Sequence, residues 1–132
     1  MSDEAKKTSY SEFISEFSII IDLAVEALDG VNTVEHLFAT IGAMNEGALN
    51  NLISLEIKSR SPGSYSRSVD KTAWYLRSLN NATYLAILEH HKNAGPYAPY
   101  NAVALRNDIC ERLQRSFHEL KTAMQESALR DD

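Results

Sequence analysis

Cysteine is nearly absent from this chain, since Cys110 is the one thiol in 132 residues. No internal disulfide can therefore staple the fold, and a single free thiol is what a reducing cytoplasm tolerates. Long hydrophobic runs are missing too. Nowhere do about 18 apolar residues follow one another, and Ile19 to Ile21 are stopped at once by Asp22, which excludes a membrane-spanning helix. The opening MSDEAKK leads into no apolar stretch with a small-residue cleavage site, so a signal peptide is not expected. The chain is read as cytoplasmic, with no membrane partner. The five glycines are scattered and none completes G-x-G-x-x-G or G-x-x-x-x-G-K-[ST], so the backbone cradles that hold nucleotide phosphates are lacking. Sustained alternation of apolar and polar residues is absent as well, which argues against strands. The prolines and glycines recur at no fixed interval, so no internal repeat is read.

What is there is helical periodicity. With 44% hydrophobic and 23% charged residues, the chain has the make-up of a globular protein rather than a disordered one. Its length suits one domain with a core that needs no metal or disulfide. The most apolar helical segment is Phe13 to Leu28. Laid out at about 100° per residue, Phe13, Phe17, Ile20, Ile21, Ala24, Ala27 and Leu28 share one arc and face a core. This first helix is expected to start near Ser9, where Ser9 and Glu12 make a capping-box pair, and to close at Gly30. Asn32 or Thr33 caps a second helix that runs to about Arg60. Gly42 and Gly47 interrupt it, each costing about 1 kcal/mol against alanine, so either a neighbour crosses closely there or the helix bends or breaks near Asn45. Ser59 to Ser68 is a linker around Pro62-Gly63.

A third helix spans about Ser68 to Asn93, with Val69, Ala73, Leu76, Asn80, Thr83, Tyr84 and Ile87 on one side and Trp74, Leu85 and Leu88 on another. GPYAPY, Gly95 to Tyr100, must be a loop, because two prolines so spaced cannot share a helix interior. Asn101 caps the last helix, whose Leu105, Ile109, Leu113, Phe117, Leu120 and Met124 make a single apolar stripe opposite Asp108, Glu111, Arg115, His118, Thr122 and Glu126. The expected fold is an all-α antiparallel bundle of four helices, five if the second breaks. The domain covers residues 9–129, between short tails at 1–8 and 130–132.

Charge is distributed unevenly. The net value is −5, yet residues 1–57 set ten carboxylates against two lysines, whereas residues 58–77 set five cations against Asp70 alone. An acidic body with one basic elbow steers what it meets.

Chemistry of the enzymatic kind finds little footing. A metal site on helices asks for His, Cys or carboxylate three or four residues apart, but His36, His90, His91 and His118 have no such neighbour at those distances. The paired Glu-x-x-His of helical di-iron proteins is missing. A lone cysteine on the edge of an apolar stripe is usually a small hydrophobe. No catalytic residue, metal or cofactor is assigned, and the chain is read as a non-enzyme.

Three surfaces remain. On the first helix Ile19 and its i+4 neighbour Leu23 fall among Glu12, Glu16, Asp22 and Glu26. Either that helix is buried on more than one side, or these residues form an apolar knob ringed by carboxylates that docks a protein with a basic surface. On the third helix Trp74, Leu85 and Leu88 form a second stripe, which is either sandwiched inside the bundle or half of a homodimer contact. The elbow, with Lys58, Arg60, Arg67, Lys71 and Arg77 interleaved with Tyr65, Trp74 and Tyr75, has the ingredients of a single-stranded nucleic acid contact. The preferred expectation is a regulator, inhibitor or scaffold subunit that works through protein–protein interaction. The alternative is a nucleic-acid-associated subunit. The loop tyrosines, Tyr97 and Tyr100, either present themselves to a partner or pack over the end of the bundle.

Overall fold

A computed structural model of the chain describes the backbone of residues 3–59 and 67–130 and the side chains of residues 11–54 and 70–127. Four helices follow one another: α1, Asp3–Leu28; α2, Val34–Ser59; α3, Arg67–Ala94; and α4, Ala102–Arg130. Among the described residues there is no strand. The fold is the expected all-α bundle. Its helices alternate in direction, α1 packing along α4, α4 along α3 and α3 along α2, while α2 meets α1 and α4 far less.

The ends of the helices are set by local chemistry. Gly30 takes φ +79° and Gly95 φ +89°, left-handed values that suit a residue without Cβ and so close α1 and α3. Thr33 caps α2, its Oγ1 accepting from the His36 N–H at 3.2 Å. Asn101 caps α4 in the same way, its Oδ1 accepting from the Ala104 N–H at 3.0 Å. Each such cap is worth about 1 kcal/mol. At the start of α1 the expectation fails. The helix begins at Asp3, so Ser9 and Glu12 lie inside it rather than at its cap. At the other end α4 runs on to Arg130.

The second helix is continuous through Asn45. A Cβ built on Gly42 or Gly47 would meet nothing within 4 Å, so neither glycine marks a close crossing. Asn45 turns its amide back onto the Ile41 carbonyl at 3.1 Å and accepts from Asn80 of α3 at 2.8 Å. Asn51 donates to the Thr72 hydroxyl at 3.4 Å. These two rungs fix how far α2 slides along α3.

The core is built from Phe13, Phe17, Ile21, Ala24 and Leu28 of α1, Leu37 and Ile41 of α2, Leu79, Ala82 and Ala86 of α3, and Leu105, Ile109 and Leu113 of α4. Phe17 stacks on Phe13 and reaches Phe117, with both centroid separations 6.0 Å. Burying each large side chain contributes about 1.5–3 kcal/mol. The stripe expected for α4 is there, with Phe117, Leu120 and Met124 packed at its margin. On α1 the arc is narrower than expected, because Ile20 is half-buried and Ala27 exposed.

The reading of α3 needs a larger correction. Its inward face is Thr72, Ser78, Leu79, Ala82 and Ala86, whereas Ala73, Asn80 and Tyr84 face solvent. Small residues let α3 approach two neighbours closely, and Ser78 meets Ser116 of α4 at 3.1 Å. Apolar periodicity alone does not single out the buried side of such a helix.

Candidate functional site

On α1, Ile19 is 60% and Leu23 is 59% exposed. That decides between the two positions offered by the sequence: the pair is not sandwiched inside the bundle. One helical turn separates them, so they form one apolar spot. Glu12, Asp22 and Glu26 are exposed around it, and Glu16 is half-buried. The helix points its other face inward through Phe17 and Ile21, which fixes Ile19 and Leu23 outward. The spot is thus held on a rigid element.

Glu16 is not a bare carboxylate. Its Oε2 lies 2.7 Å from Nζ of Lys71, so the basic elbow reaches across to the acidic face and neutralises one of its members. Lys71 retains 15% of its side-chain surface, which leaves its ammonium little access to a phosphate. Arg77 lays its guanidinium over the Trp74 ring, 5.0 Å from the centroid. Arg60 lies outside the described residues, as do the side chains of Lys58 and Arg67. The cations expected to act together are therefore partly spent within the protein, Lys71 on an ion pair and Arg77 on an aromatic ring.

The second stripe of α3 faces solvent: Trp74 is 37%, Leu85 42% and Leu88 41% exposed. Leu85 also borders a shallow groove between α3 and α4, with Ser78, Asn81, Arg112, Arg115 and Ser116. The two arginines are held along α4, Arg112 by Asp108 at 3.0 Å and Arg115 by Glu111 at 2.6 Å. Solvent-accessible i,i+4 pairs of this kind carry a few tenths of a kcal/mol and stabilise the helix rather than a ligand.

At the far end of the bundle the loop tyrosines divide. Tyr97 is 98% exposed. Tyr100 packs edge-on against Phe38, 5.7 Å between centroids, and its hydroxyl meets His91 Nε2 at 2.9 Å. His90 Nε2 lies 3.2 Å from the Ala98 carbonyl, which makes it the donor there. Both histidines are used as latches on the loop.

Cys110 sits at another place, beside Val25, Leu28, Asp29 and Arg106 between α1 and α4. Burial pushes its thiol above the ordinary value; Arg106 pulls it partly back and Asp29 adds to the rise. A thiol held protonated is a poor nucleophile. Arg106 itself donates to the Val31 carbonyl at 2.7 Å, pinning α4 to the turn after α1. Among the described residues no three His, Cys, Asp or Glu side chains converge as metal ligands would, and no helix is long and apolar enough to cross a membrane.

The polar rungs Asn45–Asn80, Asn51–Thr72 and Ser78–Ser116 escaped the sequence reading. Polar residues on helix faces carry no periodic signal of their pairing, so only the packed helices reveal these hydrogen bonds. The chain matches no known protein-family model, no curated protein sequence and no solved structure.

Proposed function

We propose that this protein is a non-enzymatic interaction module of the cytoplasm, which regulates, inhibits or scaffolds a partner protein by docking a basic surface onto the outer face of α1. The observation that carries the reading is the exposure of Ile19 and Leu23, 60% and 59%, within a set of carboxylates. An apolar anchor desolvates on binding while the surrounding charges steer the encounter and set the register. Supporting it from the other side, Cys110 is held as a thiol by burial, and His90 and His91 are engaged with the loop.

The test is a tagged pull-down from the native cell, with and without nuclease, followed by the same experiment on Leu23→Asp. A stoichiometric protein partner that survives nuclease and is lost with Leu23→Asp, while helical circular dichroism is unchanged, supports the reading. A partner retained by Leu23→Asp removes α1 as the site. Partners that vanish with nuclease transfer the function to the segment from Lys58 to Arg77.

A further inference from the structure

Between Thr72 and Leu88, α3 carries seventeen residues and one charge, Arg77. A helix on the outside of a bundle normally spends its solvent face on charges, as α4 does with Glu111, Arg115, Glu119 and Glu126. The exposed face of α3 instead shows Trp74, Arg77, Asn81, Tyr84, Leu85 and Leu88, with Tyr84 63% exposed. Aromatic residues and arginine enriched, with lysine and carboxylates depleted, is the composition of an interface centre rather than of free surface. Trp74, Asn81 and Leu88 recur every seven residues, so they drift only about 20° per repeat and form a nearly straight seam about 21 Å long.

We propose that this seam is covered by a second copy of the same chain, the two α3 helices packing antiparallel about a two-fold axis through Asn81. Charge selects the occupant. The molecule carries −5 overall, and a basic partner would be drawn to α1, whereas a second copy offers a face as neutral as this one. Two acidic molecules thus meet where their like charges are fewest. Symmetry selects the direction. A two-fold contact must be self-complementary, and in the antiparallel register Trp74 of each copy meets Leu88 of the other, while Arg77 meets Leu85. Asn81 meets itself, and a carboxamide both donates and accepts. A parallel pair would instead set Arg77 against Arg77. The antiparallel register separates those two guanidinium groups by about 12 Å along the axis. A seam one helix wide falls below about 1,200 Å² of total buried area, so the dimer forms and dissociates with concentration. This contact is independent of the proposed use of α1.

Sedimentation velocity over a concentration series tests it. The wild-type chain moves from the monomer mass of 14.8 kDa to twice that value. Trp74→Lys alone and Leu88→Glu alone stay monomeric where the wild type is dimeric, with unchanged circular dichroism. An equimolar mixture of the two variants recovers the dimer, because the new lysine of one copy faces the new glutamate of the other and the second Trp74–Leu88 contact is intact. A wild type that is monomeric at millimolar concentration overturns the proposal, as does a dimer that both single variants retain. A mixture that stays monomeric overturns the antiparallel register. Should either variant fail to fold, Asn81→Cys in a Cys110→Ser background reads the same axis. Oxidation links it into a dimer and leaves Trp74→Cys in that background unlinked; the reverse pattern, or no link at position 81, refutes the axis.

Discussion

The ammonium of Lys71, 2.7 Å from Oε2 of Glu16, joins the N-terminal part of α3 to the middle of α1 across 55 positions of sequence. The carboxylate keeps 42% of its side-chain surface, so solvent screens the pair and its worth is that of a surface bridge, about 1 kcal/mol or less. Lys71→Met keeps the apolar stem and removes the charge. Thermal unfolding should therefore fall only slightly, and the difference from wild type should shrink in about 1 M salt. Lys71→Glu sets two carboxylates together and should cost more than Lys71→Met. The same variants separate the functional readings. Losing this lysine removes one cation from beside Glu16, so capture of a basic protein holds or strengthens, whereas a phosphate contact that depended on Lys71 weakens.

Phe17 and Leu23, six residues apart on α1, should respond oppositely to substitution. Phe17 is 1% exposed and lies between Phe13 and Phe117. Phe17→Ala removes a ring from the closed core and should cost about 3–5 kcal/mol in denaturant unfolding. Leu23→Asp changes a side chain that faces water, and its effect on stability should stay within about 0.5 kcal/mol. A large loss of stability in Leu23→Asp would mean that this side chain is packed, and the α1 surface would then lose its anchor.

The same two residues show how far the sequence could be read. Phe13, Phe17, Ile21, Ala24 and Leu28 repeat at the helical period and are large or apolar enough to mark the buried arc unaided, as Leu105, Ile109 and Leu113 do on α4. The cap Asn101 was legible, and Thr33 was one of two candidates beside Asn32, because a short polar side chain before an apolar period has one good use. On α3 legibility failed. Its fully buried residues are Leu79 with two alanines and two hydroxyl side chains, while Trp74, Leu85 and Leu88 face solvent, so ranking by hydrophobicity does not single out the core face. The Lys71–Glu16 pair was equally hidden, since a contact between residues 55 apart follows from packing and leaves no trace in local pattern. For Ile19 and Leu23 the sequence offered both burial and exposure, and only the neighbours of α1 could decide between them.

Two classes of glycine should behave with opposite sign. Gly42 and Gly47 lie inside α2 with open space where a Cβ would stand and no positive φ. Replacing either with alanine removes backbone freedom from the unfolded chain and should stabilise by about 0.5–1 kcal/mol each. The two changes are five residues apart and share no neighbour at the Cβ, so the double variant should add them and raise the melting temperature by several degrees. Gly30, at φ +79°, also has open space, yet Gly30→Ala forces a side chain into the left-handed region and should cost about 1–2 kcal/mol. Calorimetry on the three variants checks both signs.

Alkaline pH should weaken the fold through two groups that the bundle keeps protonated. Burial raises the Cys110 thiol above its ordinary 9.0 and the Tyr75 phenol above its ordinary 10.0. For a group whose folded pKa lies above its unfolded value, the folded state holds the proton more tightly than the unfolded state does. Its contribution is fully present below the unfolded pKa and is lost as pH rises through the folded one. Stability should therefore be level for these groups through neutral pH and decline above about pH 9, first through Cys110 and then through Tyr75. Cys110→Ala removes the earlier part of that decline and Tyr75→Phe the later part, and neither should alter the slope near pH 7. The same burial slows the native thiol toward a disulfide reagent at neutral pH relative to the unfolded chain. A native reaction as fast as the unfolded one would show Cys110 to be open, and the first part of the alkaline decline would then need another source.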